Sequence, residues 1–471
     1  MERFDNEEEL VEPVSPTGQY LTSSSLSVYI LGVLEAEIPI DDSQTVPLLQ
    51  NLFLPINSRF SSIMIRDKNG EKKWKKVEVK LEDHIKVPTF PNGKSSNFLY
   101  DEHIEDYMST IALEHLPQHR PLWELHIIKY PSTNACGTVV FKLHHALGDG
   151  FSLMGALLSC MQRADNISLP FTLPSSQRPR SIYNNTNEAL KRVPSMVSLA
   201  FRTVSDFGWS LLKSSLIEDD QTPIRSCAED VKLRQMVISN VTISLDQIKE
   251  VKAKLGVSIN DVLAGVIFFG IRLYMQEINL KSSQTQSTAL VLLNTRNIEG
   301  YKSVKEMVEK TNSRAAWGNQ YAFLHVPIPE LSDSKYANPL EFVWEANKEM
   351  NKRKNSLATH LTGMLLDTLR KLRGHEAAAK YLHTTLRNSS TTISNIIGPV
   401  EQMAVANIPV KGFYFMVAGS PESLTITIMS YMGKIRIAFG VEKDFIDKQL
   451  FKSCLENSIE MITEAARKIS A

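Results

Sequence analysis

Cysteine is scarce in this sequence, and the four cysteines are far apart. Cys136, Cys160, Cys227 and Cys454 form no CxxC pair within the 471 residues. A disulfide-stapled secreted domain or a structural zinc site needs clustered cysteines. We therefore expect reduced, structural thiols and no metal site.

A net charge of either sign is also absent. The 52 lysines and arginines equal the 52 aspartates and glutamates in number. Nucleic-acid-binding domains usually carry a basic excess, so the composition gives no reason to expect nucleic acid as a partner. The hydrophobic share of 43% and the charged share of 22% are those of a globular protein. They exclude a wholly disordered or fibrous chain.

Long apolar runs are missing as well. No uninterrupted run reaches the roughly 18 residues that are typical of a membrane-spanning helix. The best run, Val262 to Ile271, ends at Arg272 and predicts a buried core helix. The chain starts with acidic residues such as Glu2 and Asp5, whereas a secretory signal starts with basic ones. We expect no signal peptide and a site that faces the cytosol.

Short strands and helices are mixed throughout the chain, which predicts an α/β protein with two lobes of similar size. A length of 471 residues suits about three domains or two large ones. We predict an N-terminal lobe over residues 1–163, a linker or crossover over 164–231 and a C-terminal lobe over 232–471.

One segment of the crossover, residues 193–216, predicts an amphipathic helix. Its apolar side chains, such as Val197, Val204 and Leu211, recur at helical spacing, with Arg202 and Asp206 largely elsewhere. The helix could pack on its own protein, lie on a membrane surface or line an apolar substrate path. A span across the membrane is disfavoured because two charged side chains would sit near its centre.

The string most informative about chemistry is HHALGDG, residues 144–150. It directly follows GTVVFKL, residues 137–143, whose β-branched residues predict a strand. A histidine held at the end of a strand can face a cleft, and neutral imidazole is well suited to take a proton near pH 7. Asp149 can fix the turn or orient the ring. Gly150 permits backbone geometry that other residues resist.

Two alternatives apply to this string. The histidines and the aspartate could bind a metal, but adjacent residues of a strand point to opposite faces, which disfavours joint ligation. His144 and His145 could also be purely structural. We favour the catalytic interpretation because a strand, a turn and a helix surround the motif.

The second half of the chain carries further strings. Ser258 is placed to cap a helix that begins near Asn260 and Asp261. Residues 391–397 predict a strand that ends at Gly398 and Pro399, and residues 424–441 predict a β-hairpin.

HHALGDG resembles the HHxxxDG motif of CoA-dependent and carrier-dependent acyltransferases, which include chloramphenicol acetyltransferase-like enzymes and condensation domains. Other strings make the sequence similar to the plant-type bifunctional wax ester synthase/diacylglycerol acyltransferase family. They are PLWE at 121–124, NDVLA at 260–264, NTR at 294–296, WGN at 317–319 and SNIIGP at 394–399.

The resemblance implies a two-lobed α/β fold with mixed sheets, helices and a tunnel between the lobes. It also implies an enzyme that transfers a fatty acyl group from acyl-CoA to long-chain alcohols and to diacylglycerol. Acyl-CoA is then a substrate, and no cofactor is expected. The expected partners are acyl-CoA, fatty alcohol, diacylglycerol and a membrane surface. The expected location is the cytosolic face of the endoplasmic reticulum membrane, with the plasma membrane as a second place.

The resemblance also implies site residues. His145 would be the general base, and His144 and Asp149 would support it. Four residues would contact substrate: Gly150, Asn260, Ser394 and Asn395. Helix capping explains Asn260 and Asp261 equally well, and a strand-ending turn explains Ser394 and Asn395 equally well.

Two other functions compete with this one. A soluble enzyme that acylates small alcohols would carry the same motif. A non-catalytic protein of the same fold that binds lipid or acyl-CoA is disfavoured by the intact HHxxxDG. An esterase is not supported, because the sequence has no GxSxG string.

Overall fold

The computed structural model describes residues 12–67, 72–91, 99–173, 193–228, 231, 234–294, 317–331, 338–354 and 358–469. Much of the predicted linker, the predicted residues Thr295 and Arg296, and the acidic start of the chain lie outside these ranges.

The described strands are β1 (Glu12–Pro13), β2 (Tyr29–Ala36), β3 (Ser62–Arg66), β4 (Lys72–Lys76), β5 (Ile85–Lys86), β6 (Trp123–Ile128), β7 (Gly137–His144), β8 (Gln162–Arg163), β9 (Met236–Ser244), β10 (Thr288–Asn294), β11 (Tyr321–Pro327), β12 (Thr391–Ile397), β13 (Met403–Val405), β14 (Ile408–Ala418), β15 (Leu424–Tyr431) and β16 (Lys434–Glu442).

The described α-helices are α1 (Pro16–Tyr20), α2 (Thr45–Leu48), α3 (Leu81–His84), α4 (Asp101–Leu113), α5 (Gly150–Ser159), α6 (Val193–Ser215), α7 (Leu245–Leu255), α8 (Ile259–Ile278), α9 (Leu340–Lys354), α10 (Ala358–Arg387) and α11 (Lys448–Arg467).

Two large sheets organise the molecule. The first has seven strands in the order β5-β6-β7-β2-β14-β13-β8, and the second has six in the order β11-β10-β12-β15-β16-β9. A third, small sheet has the order β1-β4-β3. Each large sheet has its own hydrophobic core of buried side chains, so two lobes are present.

The two sheets do not divide the chain at one point. Strands β13 and β14 come from the predicted C-terminal lobe, yet both lie in the first sheet, where β14 pairs antiparallel with β2. The assignment of all of residues 232–471 to one lobe is therefore corrected for residues 403–418. The sequence pattern of a strand carries no information on its partner, which long-range packing decides.

The strand that carries the histidine motif is fully buried. Every residue of β7 is buried, and the strand pairs with β6 on one side and β2 on the other. Continuous β-branched and aromatic residues suit a strand that is covered on both faces. This buried strand gives the motif a rigid support.

Helix α8 is the core helix that the apolar run predicts. Ser258 and Asp261 form a capping box at its start, as the sequence indicates. Length and composition alone would also let it cross a membrane, and among the described residues it is the one helix that meets both criteria. Most of it is buried against α9 and α11, and Arg272 is fully buried, where its guanidinium donates to the carbonyls of Ile328 and Pro329.

Several predicted elements are confirmed with small changes at their ends. Helix α6 covers Val193–Ser215, β12 matches the predicted strand and the β15–β16 hairpin is present. The helix predicted after the motif is present as α5, which ends at Ser159. Among the described elements of more than ten residues, α4, α7, α10 and β14 were not predicted.

Candidate active site

The two histidines of the motif lie at the end of β7, and their side chains have different surroundings. His144 is the last residue of the strand, and His145 begins the turn, with its backbone N–H donating to the carbonyl of Val28 at 2.9 Å. Both side chains are buried. Because the strand ends between them, the two rings contact different neighbours.

His144 is held inside the first lobe. Its Nδ1 accepts from the backbone N–H of Ala146 at 3.0 Å, so its Nε2 donates to the hydroxyl of Ser27 at 3.2 Å. The ring also packs edge-on against Tyr29. Burial, with smaller contributions from nearby cationic groups, lowers the pKa of His144 to about 3. A neutral ring with both nitrogens occupied is suited to shaping the turn.

His145 faces residues of the second lobe. Its Nδ1 lies 2.8 Å from Oδ1 of Asn319, and its ring meets the ring of Tyr321 edge-on at 5.6 Å between centroids. Burial lowers the pKa of His145, although Asp149, the hydrogen bond of the ring to its own backbone carbonyl and the Asn319 hydrogen bond oppose this shift. His145 is therefore neutral at physiological pH, which is the state that a general base needs.

Asp149 connects the turn to the segment before β11. Its Oδ1 accepts from the backbone N–H of Ser152 at 3.0 Å, which caps α5. Its Oδ2 accepts from the backbone N–H of Gln320 at 2.9 Å, and its own N–H donates to the carbonyl of Gly318 at 3.3 Å. The carboxylate thus ties two distant parts of the chain together.

Gly150 is required by a close approach. A Cβ at this position would overlap the Cδ1 of Ile396 on β12. The backbone of Gly150 does not have a positive φ, so the predicted reason, unusual backbone geometry, is corrected. The missing side chain lets the motif contact the second sheet.

Ser394 and Asn395 lie on opposite faces of β12. Ser394 shares a face with Ile396, which contacts the motif at Gly150. Its hydroxyl makes no hydrogen bond to any other residue of the described ranges. Asn395 lies on the other face, where its Nδ2 donates to Oδ1 of Asn260 at 2.9 Å. The structure therefore brings Ser394 to the motif side, and Asn260 and Asn395 to the α8 side.

Asn319, Trp317 and Arg59 are site residues that reasoning from the residues did not single out. Trp317 Nε1 and Arg59 Nη1 both donate to the carbonyl of Leu147 in the turn, at 2.9 and 3.2 Å. The string WGN at 317–319 was the one sequence signal for Trp317 and Asn319, and it pointed to them only because it resembles a string of the family. No spacing rule relates residues 319 and 145.

One small opening has no residue of the motif in its lining. Residues of both lobes line it, among them Ala112, Met236, Gly419 and Glu422. Gly419 approaches the backbone of Ser27, whose hydroxyl holds His144. Among the residues that the structure describes, no three His, Cys, Asp or Glu side chains form a group that could hold a metal.

The sequence matches two models of one family. The wax ester synthase/diacylglycerol acyltransferase catalytic domain matches residues 61–263, and the WS/DGAT C-terminal domain matches residues 317–463. Wax ester synthase/diacylglycerol acyltransferase 4 of Arabidopsis thaliana is 29% identical over 98% of this chain and 92% of its own length. The protein numbered 5 of the same plant is 28% identical over 93% and 90%.

Solved structures show the same fold. The wax ester synthase/diacylglycerol acyltransferase from Marinobacter aquaeolei VT8 superposes with a TM-score of 0.60 at 15% identity, over 97% of this chain and 100% of that one. The first condensation domain of the CDA synthetase gives 0.52 at 13% identity, over 94% and 92%. These likenesses confirm the predicted fold class.

Proposed function

We propose that this chain, which belongs to the wax ester synthase/diacylglycerol acyltransferase family, transfers a fatty acyl group from acyl-CoA to a hydroxyl group. Long-chain alcohols would give wax esters, and diacylglycerol would give triacylglycerol. The observation that carries the proposal is His145, a neutral imidazole at the meeting of the two lobes, next to residues of the second sheet.

The proposed reaction is a direct transfer. His145 takes the proton of the acceptor hydroxyl, and the oxygen forms a bond to the thioester carbonyl carbon. The carbon–sulfur bond then breaks, and the imidazolium returns its proton to the CoA thiolate, which leaves as a thiol. Ser394 is the proposed donor to the oxyanion, because its hydroxyl lies on the motif side of β12 without another described partner.

The other site residues support this step. His144 and Asp149 hold the turn through Ser27, Ser152 and Gln320. Gly150 allows contact between the turn and β12. The Asn260–Asn395 hydrogen bond joins the start of α8 to the other face of β12. We propose that this pair sets the position of Ser394, rather than contacting substrate itself.

The first experiment supplies labelled palmitoyl-CoA with hexadecanol or diacylglycerol to purified protein, and compares the wild type with His145→Ala. We expect wax ester and triacylglycerol from the wild type, and a loss of both of at least about 100-fold in the variant, because general-base catalysis contributes about that factor or more. Circular dichroism of His145→Ala controls for folding. Retained activity in a folded variant would contradict the role of His145. Activity with short alcohols alone would identify a small-alcohol enzyme instead.

We further propose that α6 contacts a membrane surface, on the endoplasmic reticulum with the plasma membrane as a second location. The described second half of α6 buries polar side chains, including Asp206 and Lys213, and exposes Trp209 and Leu212; Leu216, directly after the helix, is exposed as well. A helix in a water-facing position shows the opposite pattern. Exposed apolar side chains of this kind suit the interface of a lipid bilayer.

The position of α6 also suits lipid substrates. Ser210 of α6 hydrogen-bonds to His325 of β11, and Tyr321 at the other end of that strand contacts His145. Tyr321, Phe323 and His325 alternate along β11 and therefore share one face. This face of β11 extends from the proposed membrane-contacting helix to the general base, His145. It therefore supports a path between the lobes for an apolar chain.

Vesicle flotation tests the membrane contact. We expect the full chain to float with phosphatidylcholine vesicles that contain phosphatidylserine, and the Leu212→Ser/Leu216→Ser variant to float less. Leu280→Ser is the matched control, because Leu280 is 72% exposed outside α6. Equal flotation of all three proteins would exclude α6 as the contact. A fluorescent fusion in eukaryotic cells distinguishes the two membranes.

A further inference from the structure

We propose that Asn319 is a positioning residue for the general base. Asn319 would hold the proton on Nδ1 of His145, and thereby direct the lone pair of Nε2 toward the acceptor hydroxyl. The inference rests on the proposed acyl transfer and adds to it a residue 174 positions away from the motif.

The orientation of the Asn319 amide follows from two contacts. Its Nδ2 donates to the backbone carbonyl of His145 at 2.9 Å, and its Oδ1 lies 2.8 Å from Nδ1 of the same residue. Rotating the amide by half a turn would place its oxygen against the carbonyl oxygen, and two acceptors repel each other. The amide oxygen therefore faces Nδ1.

The protonation of the ring follows from this orientation. An amide oxygen can only accept, so Nδ1 of His145 must donate and carries the proton in the neutral ring. The lone pair then lies on Nε2. This nitrogen makes no hydrogen bond to another residue within the described ranges. Nε2 is thus left available to a hydroxyl group.

The segment that carries Asn319 is fixed from three sides. The Asp149 carboxylate binds the N–H of Gln320, and the Ser152 hydroxyl donates to the carbonyl of Gly318 at 3.2 Å. Gly318 has a φ of +119°, which an L side chain rarely adopts. The indole of Trp317 anchors the segment to the turn. Asp149 therefore acts on His145 partly through Asn319, and this explains why the motif needs an aspartate that caps α5.

Among the residues that the structure describes, few charged or titratable groups lie around the ring. Asp149 comes from the same turn, His144 from β7, Tyr321 from β11 and Arg59 from the segment before β3. Asp149 favours the charged ring, and it is present both in the wild type and in every Asn319 variant. A change in the charge at position 319 should therefore shift the pKa of His145 directly.

Two variants test the proposal. We expect Asn319→Ala to lower kcat by about 10- to 100-fold, by analogy with the loss of a partner that orients a metal-binding histidine through its other nitrogen, with little change in KM. We expect Asn319→Asp to move the acid limb of the kcat/KM profile to higher pH, because a carboxylate beside Nδ1–H stabilises the charged ring. A purely structural residue would not shift the limb in this direction.

Asn347→Ala is the matched control, since it removes an amide that donates to Asp261 at 2.8 Å, away from the motif. We expect its kcat and pH profile to equal those of the wild type. Full kcat in Asn319→Ala, or an unshifted acid limb in Asn319→Asp, would overturn the proposal.

A second readout does not need turnover. Diethyl pyrocarbonate modifies neutral imidazole, so its rate at His145, followed by mass spectrometry of the peptide, gives the pKa of the ring. We expect this pKa to rise in Asn319→Asp and to stay unchanged in Asn347→Ala. If the wild type makes no ester, the proposed function fails. A shifted modification profile would still support the role of Asn319, and an unshifted one would exclude it.

Discussion

His144 and His145 are adjacent in sequence, and they differ because the strand ends between them. His144 lies inside the first lobe, where the hydroxyl of Ser27 and the N–H of Ala146 occupy both nitrogens. His145 faces Asn319 and Tyr321 of the second lobe. Burial lowers the pKa of both rings, but only His145 has a nitrogen left for a substrate.

The lowered pKa of His145 predicts how the rate depends on pH. A base works when it is neutral, and a pKa below the usual value keeps the ring neutral at lower pH. We therefore expect the acid limb of kcat/KM to lie below about pH 6.5, the ordinary pKa of histidine. Acyl transfer measured from about pH 5 to 8 tests this. A limb above the ordinary value would show that the Asp149 carboxylate outweighs burial.

At the scale of single elements, glycines mark where backbones approach each other. Gly265 in α8 faces the backbone of α9, and a Cβ there would lie 2.7 Å from the Cα of Val343. A neighbouring backbone cannot move aside as the end of a side chain can. The close packing of α8 against α9 therefore depends on this glycine.

We expect Gly265→Ala to destabilise the protein by about 1–3 kcal/mol, because overpacking outweighs the gain in helix propensity. Gly363→Ala in α10 is the matched control, because nothing lies within 4 Å of a Cβ at that position. It should stabilise the protein by about 0.5–1 kcal/mol, the cost of glycine in an open helix. Urea unfolding gives the free energy of unfolding of each variant, to be compared with that of the wild type. Equal effects would mean that α8 and α9 can move apart.

At the scale of the whole molecule, the two large sheets are joined by strand β14 and by an ion pair. Glu35 of β2 lies 2.7 Å from Arg436 of β16, with most of both side chains buried. The guanidinium also lies over the ring of Tyr414 on β14. These contacts hold the first sheet against the second, and the candidate active site lies between them.

Breaking this pair tests how strongly it joins the lobes. Arg436→Met should lower the free energy of unfolding by about 3–5 kcal/mol, because it leaves the Glu35 carboxylate buried without its partner. The Glu35→Gln/Arg436→Met double variant should recover part of this loss. Thermal unfolding followed by circular dichroism checks both. A single variant as stable as the wild type would show that water replaces the arginine.

Much of the local structure could be predicted because it depends on residues close in sequence. The strand before the motif, the Ser258–Asp261 cap and the helix over Val193–Ser215 follow from side-chain period and capping chemistry. Helix α10 was not predicted. Gly374, with a φ of +81°, interrupts its helical pattern.

The candidate site was predicted only in part. The motif residues lie together because they are neighbours in sequence. Ser394 and Asn395 were both expected at the substrate, yet alternation along β12 allows only one of them to face the motif. Which one does so depends on which face of the sheet packs against α8, and the pattern SNIIGP does not contain that information.

By itself, the sequence determined many of the elements and the place of the histidine motif at the end of a buried strand, since periodicity and capping act over a few residues. The tertiary structure alone decided that β14 joins the first sheet, that Ser394 faces the turn and that Asn319 meets His145. These contacts join residues far apart in the chain. They form only when two sheets pack face to face, and no local pattern specifies that packing.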